Sequence, residues 1–239
     1  RRSCARLVRG GVTAARGLGQ TGEPRHNRPL LAAFLVDNPT LDDALIRSLA
    51  NNNRSHVSAF LDELMGQGNV RVLAGGASVL GLIGNPRAVM LLKAWLGAKD
   101  VRLRVAAALG LGAIGTAEVQ EALAGAIGDP SEQVRLAVSQ ALGRLGGADA
   151  MRPLLQLCRD PSLRIRIGLA SLIGQCPSAS ALELADALCE DPDDDVRLAT
   201  LLSLPLLRDL AAIVRFNSAA ATESVEVKRS LMRLPSDHP

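Results

Sequence analysis

Three markers along this chain keep one clock of 31 residues. Asp-Pro stands at Asp129-Pro130, Asp160-Pro161 and Asp191-Pro192. An arginine follows at Arg135, Arg166 and Arg197, with Arg104 one period earlier and Lys228 one period later. Leu-Gly stands at Leu18-Gly19, Leu80-Gly81, Leu111-Gly112 and Leu142-Gly143, and the same phase gives Leu49, Ile173 and Leu204. Pro29-Leu30-Leu31 also matches Pro153-Leu154-Leu155 four periods on. A unit this short cannot bury an apolar face alone. It folds by stacking on copies of itself, so the repeat constrains the architecture before any local motif does.

One period, 129–159, can be read residue by residue. Asp129 suits a helix cap, Pro130 the first helical position, and Glu132 a capping-box partner. Val134, Ala137, Val138, Ala141, Leu142 and Leu145 recur at helical spacing, and Gly146-Gly147 ends the run. Met151, Leu154, Leu155 and Cys158 then face inward from a second helix. A small residue precedes the phased Leu or Ile by five positions in most copies (Ala44, Gly75, Ala106, Ala137, Gly168, Ala199), which lets helices pack closely. The expectation is an all-α solenoid of stacked antiparallel helix pairs.

Composition agrees. Hydrophobic residues make up 48% and aromatics only 2%, with one Trp, three Phe and no Tyr. So few aromatic planes argue against single-strand stacking platforms and RRM-type sheets, and β-sandwiches also favour such residues. The net charge of +3 is too small to indicate nucleic acid by itself. Seven arginines against the single acid Glu23 crowd residues 1–29, so the basic excess is all at the N-terminus. An Arg-rich, acid-poor start resembles an organellar transit segment, and a chain that does not begin with Met is expected to be a fragment or processed. Four cysteines without a C-x-x-C pair favour reduced thiols and an intracellular setting, cytoplasmic or organellar matrix. The longest uncharged stretches, 72–86 and 167–182, fall short of the ~20 residues a membrane span needs.

The pattern Asp-Pro-x-x-x-Val-Arg-x-Ala, then Ala-Leu-Gly-x-Leu-Gly, then an Ala/Leu-rich helix, resembles the HEAT repeat. The period resembles its short form, named after the phycobilin lyases. Ankyrin repeats would want Thr-Pro-Leu-His, and tetratricopeptide repeats aromatics; neither fits. The best copies run over 100–207, within a solenoid expected at 29–234. Before it lie a basic segment and linker, 1–28, and after it a tail, 235–239. The resemblance implies that Arg104, Arg135, Arg166 and Arg197 form a structural ladder with Asp129, Asp160 and Asp191. It also implies that the helix carrying Val-Arg lines a concave face.

Catalytic patterns are missing from the sequence. His26, His56 and His238 belong to no H-E-x-x-H and to no paired His-Glu motif of the kind deoxyhypusine hydroxylases use for iron. There is no G-x-S-x-G and no Walker loop, and Gly75, Gly76, Gly81 and Gly84 read as packing and helix-end glycines. Cys158 and Cys189 read as core, leaving Cys176 as the cysteine to test for reactivity. Asp193, Asp194 and Asp195 suit the first turn of a helix by charge. The chain is therefore read as a non-enzyme with no cofactor or metal.

Function is then expected on the surface. The residue after each ladder arginine is apolar: Val105, Leu136, Ile167 and Leu198, with Ala74 earlier and Leu109, Leu202 and Leu206 extending the strip. Arg71, Arg102 and Arg164, with Arg144, form an expected basic rim. This pattern reads as a groove for an apolar or acidic helix of a partner protein, in a scaffold that is a subunit or assembly factor of a larger complex. The alternatives are a bilin-lyase-like chromophore chaperone, by resemblance, or a nucleic-acid-associated subunit using residues 1–28.

Overall fold

The structure is a computed structural model that describes residues 2–36, 38–175, 178–207, 210–224 and 228. Among these there are fourteen α-helices and no strand. The chain divides into two compact units, Arg1–Leu123 and Ala124–Pro239.

The first unit holds α1 (Arg2–Gln20), α2 (Asn27–Ala33), α3 (Pro39–Asn53), α4 (Val57–Met65), α5 (Val70–Ile83), α6 (Pro86–Leu96), α7 (Val101–Ile114) and the start of α8 (Ala117–Gly125). Helices α1, α3, α5 and α7 pack side by side in one row, and α2, α4 and α6 lie against that row. The second unit repeats the plan. Its first row is α9 (Glu132–Leu145), α11 (Leu163–Leu172) and α13 (Asp194–Ser203). Its second row holds α10 (Ala148–Leu157) and α12 (Ser178–Cys189), and α14 (Leu210–Thr222) follows α13. The architecture is an α-solenoid of helix pairs.

The 31-residue clock sets the core. Leu49, Leu80, Leu111, Leu142, Ile173 and Leu204 are all buried, and Leu18 is half-buried. Close approach between row helices depends on glycine. A Cβ on Gly81 would sit 2.7 Å from the carbonyl oxygen of Gly110, so α5 and α7 touch backbone to backbone. A Cβ on Gly76 would run into the side chain of Leu64 on α4. Gly84, at φ 65°, closes α5 in the left-handed conformation that glycine adopts without steric cost.

Several sequence expectations need correction. The first-row helices of the second unit begin later than Asp-Pro. Ser131, Ser162 and Asp193 are the capping residues, so Asp129 is no helix cap and Glu132 no capping-box partner. Each Asp carbonyl accepts from an arginine side chain, and the first helical bonds go to carbonyls two residues further on, those of Ser131, Ser162 and Asp193. The Asp carboxylate of each Asp-Pro accepts the backbone N–H two residues on: Ser131 at 2.8 Å, Ser162 at 2.8 Å and Asp193 at 2.9 Å. In α10 it is Leu157 that is buried, while Leu155 and Cys158 are half-buried. Residues 1–28, read as basic segment and linker, contain the 19-residue α1, which packs on α3. The fit is tight at Gly19, where a Cβ would lie 2.6 Å from that of Ser48. Helix α14 continues through the polar run after Phe216 to Thr222. Cys176, His238, residues 229–234 of the expected solenoid and the tail 235–239 lie outside the described residues.

Candidate functional site: a groove between α9 and α11

The ladder arginines come first, because they fix the row. Arg135 donates from Nε to Asp160 at 2.7 Å and from Nη1 to the Asp129 carbonyl at 2.9 Å. Arg166 repeats this with Asp191 at 2.8 Å and the Asp160 carbonyl at 2.8 Å. Arg197 uses Glu223 at 3.1 Å and the Asp191 carbonyl at 2.7 Å, and also pairs with Asp194. Each guanidinium therefore ties its own helix entry to an acid one repeat further on. Arg104 donates to the carbonyls of Ala98 and Lys99 at 2.9 and 3.1 Å. Burial alone would raise the Asp160 carboxyl; the Arg135 guanidinium and the Ser162 N–H outweigh it and hold the group below the usual carboxylate range.

Arg71 differs from its expected role on a free rim. Its Nε donates to the Phe34 carbonyl at 2.5 Å and its Nη2 to Asp42 at 3.0 Å, so it ties α5 to the preceding pair. Two residues out of phase, it does for α5 what the ladder arginines do later. Arg102 is exposed and pairs with Asp100, the cap of its own helix, at 3.0 Å.

Four of the sequence-selected residues meet in one place. Leu136 and Arg144 on α9, with Arg164 and Ile167 on α11, line a groove of about 390 Å³. Glycines set the helix spacing at both ends. A Cβ on Gly168 would meet Leu136 at 3.0 Å, and one on Gly143 would meet Leu172 at 2.9 Å. Leu136 and Ile167 are half-buried, so neighbouring side chains cover part of the apolar strip and leave the rest to the groove. Val105 and Leu198 are half-buried too, on α7 and α13, and line no part of it. Leu109 is half-buried and Leu202 exposed; the side chain of Leu206 is not described.

The groove has polar lining that the strip did not reveal: Gln140, Ser171 and Gln175. Phase could have found them. Ser171 is one period after Gln140, and Gln175 one period after Arg144. Ser171 donates to the Ile167 carbonyl and Gln175 to the Ser171 carbonyl, both at 3.3 Å. Arg144 is exposed and makes no ion pair among the described residues, and Arg164 reaches only Glu132, at 3.9 Å with both side chains largely in water. The chemistry available is an aliphatic floor, amide and hydroxyl partners, and two guanidinium groups free to take a carboxylate.

The other candidates offer less. Cys158 and Cys189 are half-buried, and burial pushes both thiols up to about 11. Asp193 caps α13, while Asp194 is held by Arg197 and by the Ser224 hydroxyl at 3.1 Å. His56 sits at the cap of α4 without capping it, and His26 lies 2.9 Å from the Thr21 hydroxyl. Among the described residues no His, Cys, Asp or Glu cluster could hold a metal ion, and no helix is long and apolar enough to cross a membrane.

Comparison with known proteins follows the same lines. No curated protein matches the chain in sequence. The complex of CpcE and CpcF of phycocyanin lyase from Nostoc sp. PCC7120 is similar in structure, with 22% identity over 87% of this chain and 88% of that one and a TM-score of 0.46. An engineered protein is similar at 16% identity over 95% and 71%, TM-score 0.43. Human deoxyhypusine hydroxylase in complex with glycerol is similar at 18% identity over 92% and 93%, TM-score 0.34. A family model for HEAT repeats matches residues 57–143, 90–170 and 121–205, together more than half of the chain. With the phased leucines buried and the arginines laddered, the chain belongs to the HEAT-repeat family.

Proposed function

We propose that this protein is a non-catalytic interaction scaffold, a subunit or assembly factor of a larger complex, and that it docks a partner helix in the α9–α11 groove. One observation carries the reading: Leu136 and Ile167 supply an apolar floor between Arg144 and Arg164, whose charges are not consumed internally. An amphipathic helix with apolar anchors and flanking carboxylates matches that surface. HEAT repeats commonly serve this use, and a fold is only a frame for such a site.

The test is a photo-reactive amino acid at Gln140, combined with the double variant Arg144→Glu/Arg164→Glu. Both arginines are exposed, so the variant should keep its helical circular dichroism. The expected result is one dominant crosslinked partner, lost in the double variant. Equal crosslinking in both proteins would remove the groove from the account.

A further inference from the structure

We propose a second docking site, in the first unit, that accepts a bulky apolar side chain from an acidic helix of a partner protein. A cavity of about 560 Å³ opens between α1, α2 and α3. Leu30, Leu41 and Leu45 form a buried floor, and Gly11, Ala14 and Ala33 form walls too small to fill it. Every lining side chain is apolar.

The repeat explains why there is room. Ala33 falls in phase with Leu64, Trp95, Leu157 and Leu188, which are buried; of the later copies Ala126 and Ala219 are also small. Helix α2 is short as well, 7 residues against 9 to 12 in α4, α6, α8, α10 and α12. The vacancy therefore lies where four later copies place a large helix side chain, which favours a helical knob over an alkyl chain. Leu35 and Val36, exposed just after α2, extend the apolar surface at its edge.

Charge states what kind of helix fits. Arg16 and Arg28, each beside a lining residue in sequence, are exposed. Arg16 has no ion pair among the described residues, and Arg28 approaches Glu63 only at 4.0 Å. The described acids of the same elements are already matched: Glu23 with Arg25 at 2.5 Å, Asp43 with Arg47 at 3.2 Å, and Asp42 with Arg71 at 3.0 Å. The rim is thus positive, complementary to carboxylates a turn to either side of the knob.

The experiment uses the full chain and a fluorescein-labelled helical peptide with Leu and Phe one turn apart and Glu in the flanking turns, read by anisotropy. Expected are saturable binding that weakens with added salt, and a loss of about tenfold or more in affinity in Ala33→Leu and in Arg16→Glu/Arg28→Glu. The charge variant alters only exposed side chains, so it decides the matter if Ala33→Leu fails to fold. The titrations are made in the Arg144→Glu/Arg164→Glu background, which disables the α9–α11 groove, so that binding and its loss on adding Ala33→Leu or Arg16→Glu/Arg28→Glu belong to the cavity alone. Three results overturn the proposal: equal binding of a Lys-flanked peptide, displacement of the peptide by dodecanoate, or a dimer of the parent that Ala33→Leu converts to monomer. The last two would assign the cavity to an acyl chain or to a second copy.

Discussion

Truncating Asp160 to alanine tests the ladder quantitatively. Its side chain is 4% exposed and that of Arg135 is 15% exposed, so the pair is nearly withdrawn from water. Asp160→Ala removes the contacts at 2.7 and 3.1 Å to Arg135 and the acceptor for the Ser162 N–H at 2.8 Å. Arg135 keeps the carbonyls of Asp129 and Pro130 and some access to solvent, so the cost falls near the low end for a broken buried pair, about 3 kcal/mol. For a chain of this size that is about 6–12 °C in Tm. Arg135→Ala strands a carboxylate that is more deeply buried and should cost about 3–5 kcal/mol. The double variant should cost about 2 kcal/mol less than the sum, because neither partner is then left alone. Urea unfolding followed by circular dichroism measures all three. Glu132→Ala, which removes the part-exposed 3.9 Å contact with Arg164 and a charge near Arg135, should change stability by less than about 1 kcal/mol. A loss below about 1 kcal/mol for Asp160→Ala, or strict additivity in the cycle, would refute the ladder as a stabilising device.

Further outcomes follow from single sites. Asn52 is 1% exposed with both amide atoms buried and unpartnered among the described residues, at a position where later copies carry Ile83, Ile114 and Leu145; Asn52→Leu should raise stability by about 1–2 kcal/mol in the same unfolding assay. Gly81→Ala should cost more than about 2 kcal/mol although alanine is the better helix former, because the Gly110 backbone cannot yield, whereas Gly68→Ala, with open space around it, should be near neutral by thermal melting. The folded-state pKa of Asp160 is depressed, so its contribution is present above the unfolded value of about 4 and is lost as pH falls through the folded value; Asp160→Asn should flatten the acid limb of a stability–pH profile below about pH 4. With both thiols raised to about 11, Cys158 and Cys189 should alkylate slowly at pH 8 in a Cys4→Ser/Cys176→Ser background and fast once urea exposes them.

The fold was legible because the repeat speaks many times. A phased Leu or Ile at seven positions leaves one consistent arrangement, and each copy buries that side chain wholly or in part. The helix starts are not legible because Asp-Pro looks like a cap, whereas in the fold the Asp carbonyl meets a guanidinium and its carboxylate the N–H two residues on. The first helix was underread because α1 carries Gly11 where later copies carry the ladder arginine, so one marker of three survives there. The groove was half legible. Leu136, Ile167, Arg144 and Arg164 could be chosen by phase, but which of the apolar strip lines a groove depends on how far neighbouring helices cover it. Arg71 was misplaced because its bond to Phe34 spans 37 residues, a pairing the clock does not encode.

Hydrogen exchange resolved by peptide mass spectrometry tests the central claim most directly. If each helix pair shields its neighbour in register, amides around Leu80, Leu111, Leu142 and Ile173 should exchange slowest, protected to near the global unfolding free energy, with a minimum recurring every 31 residues. Rapid exchange at those helices, or protection without that period, would contradict it.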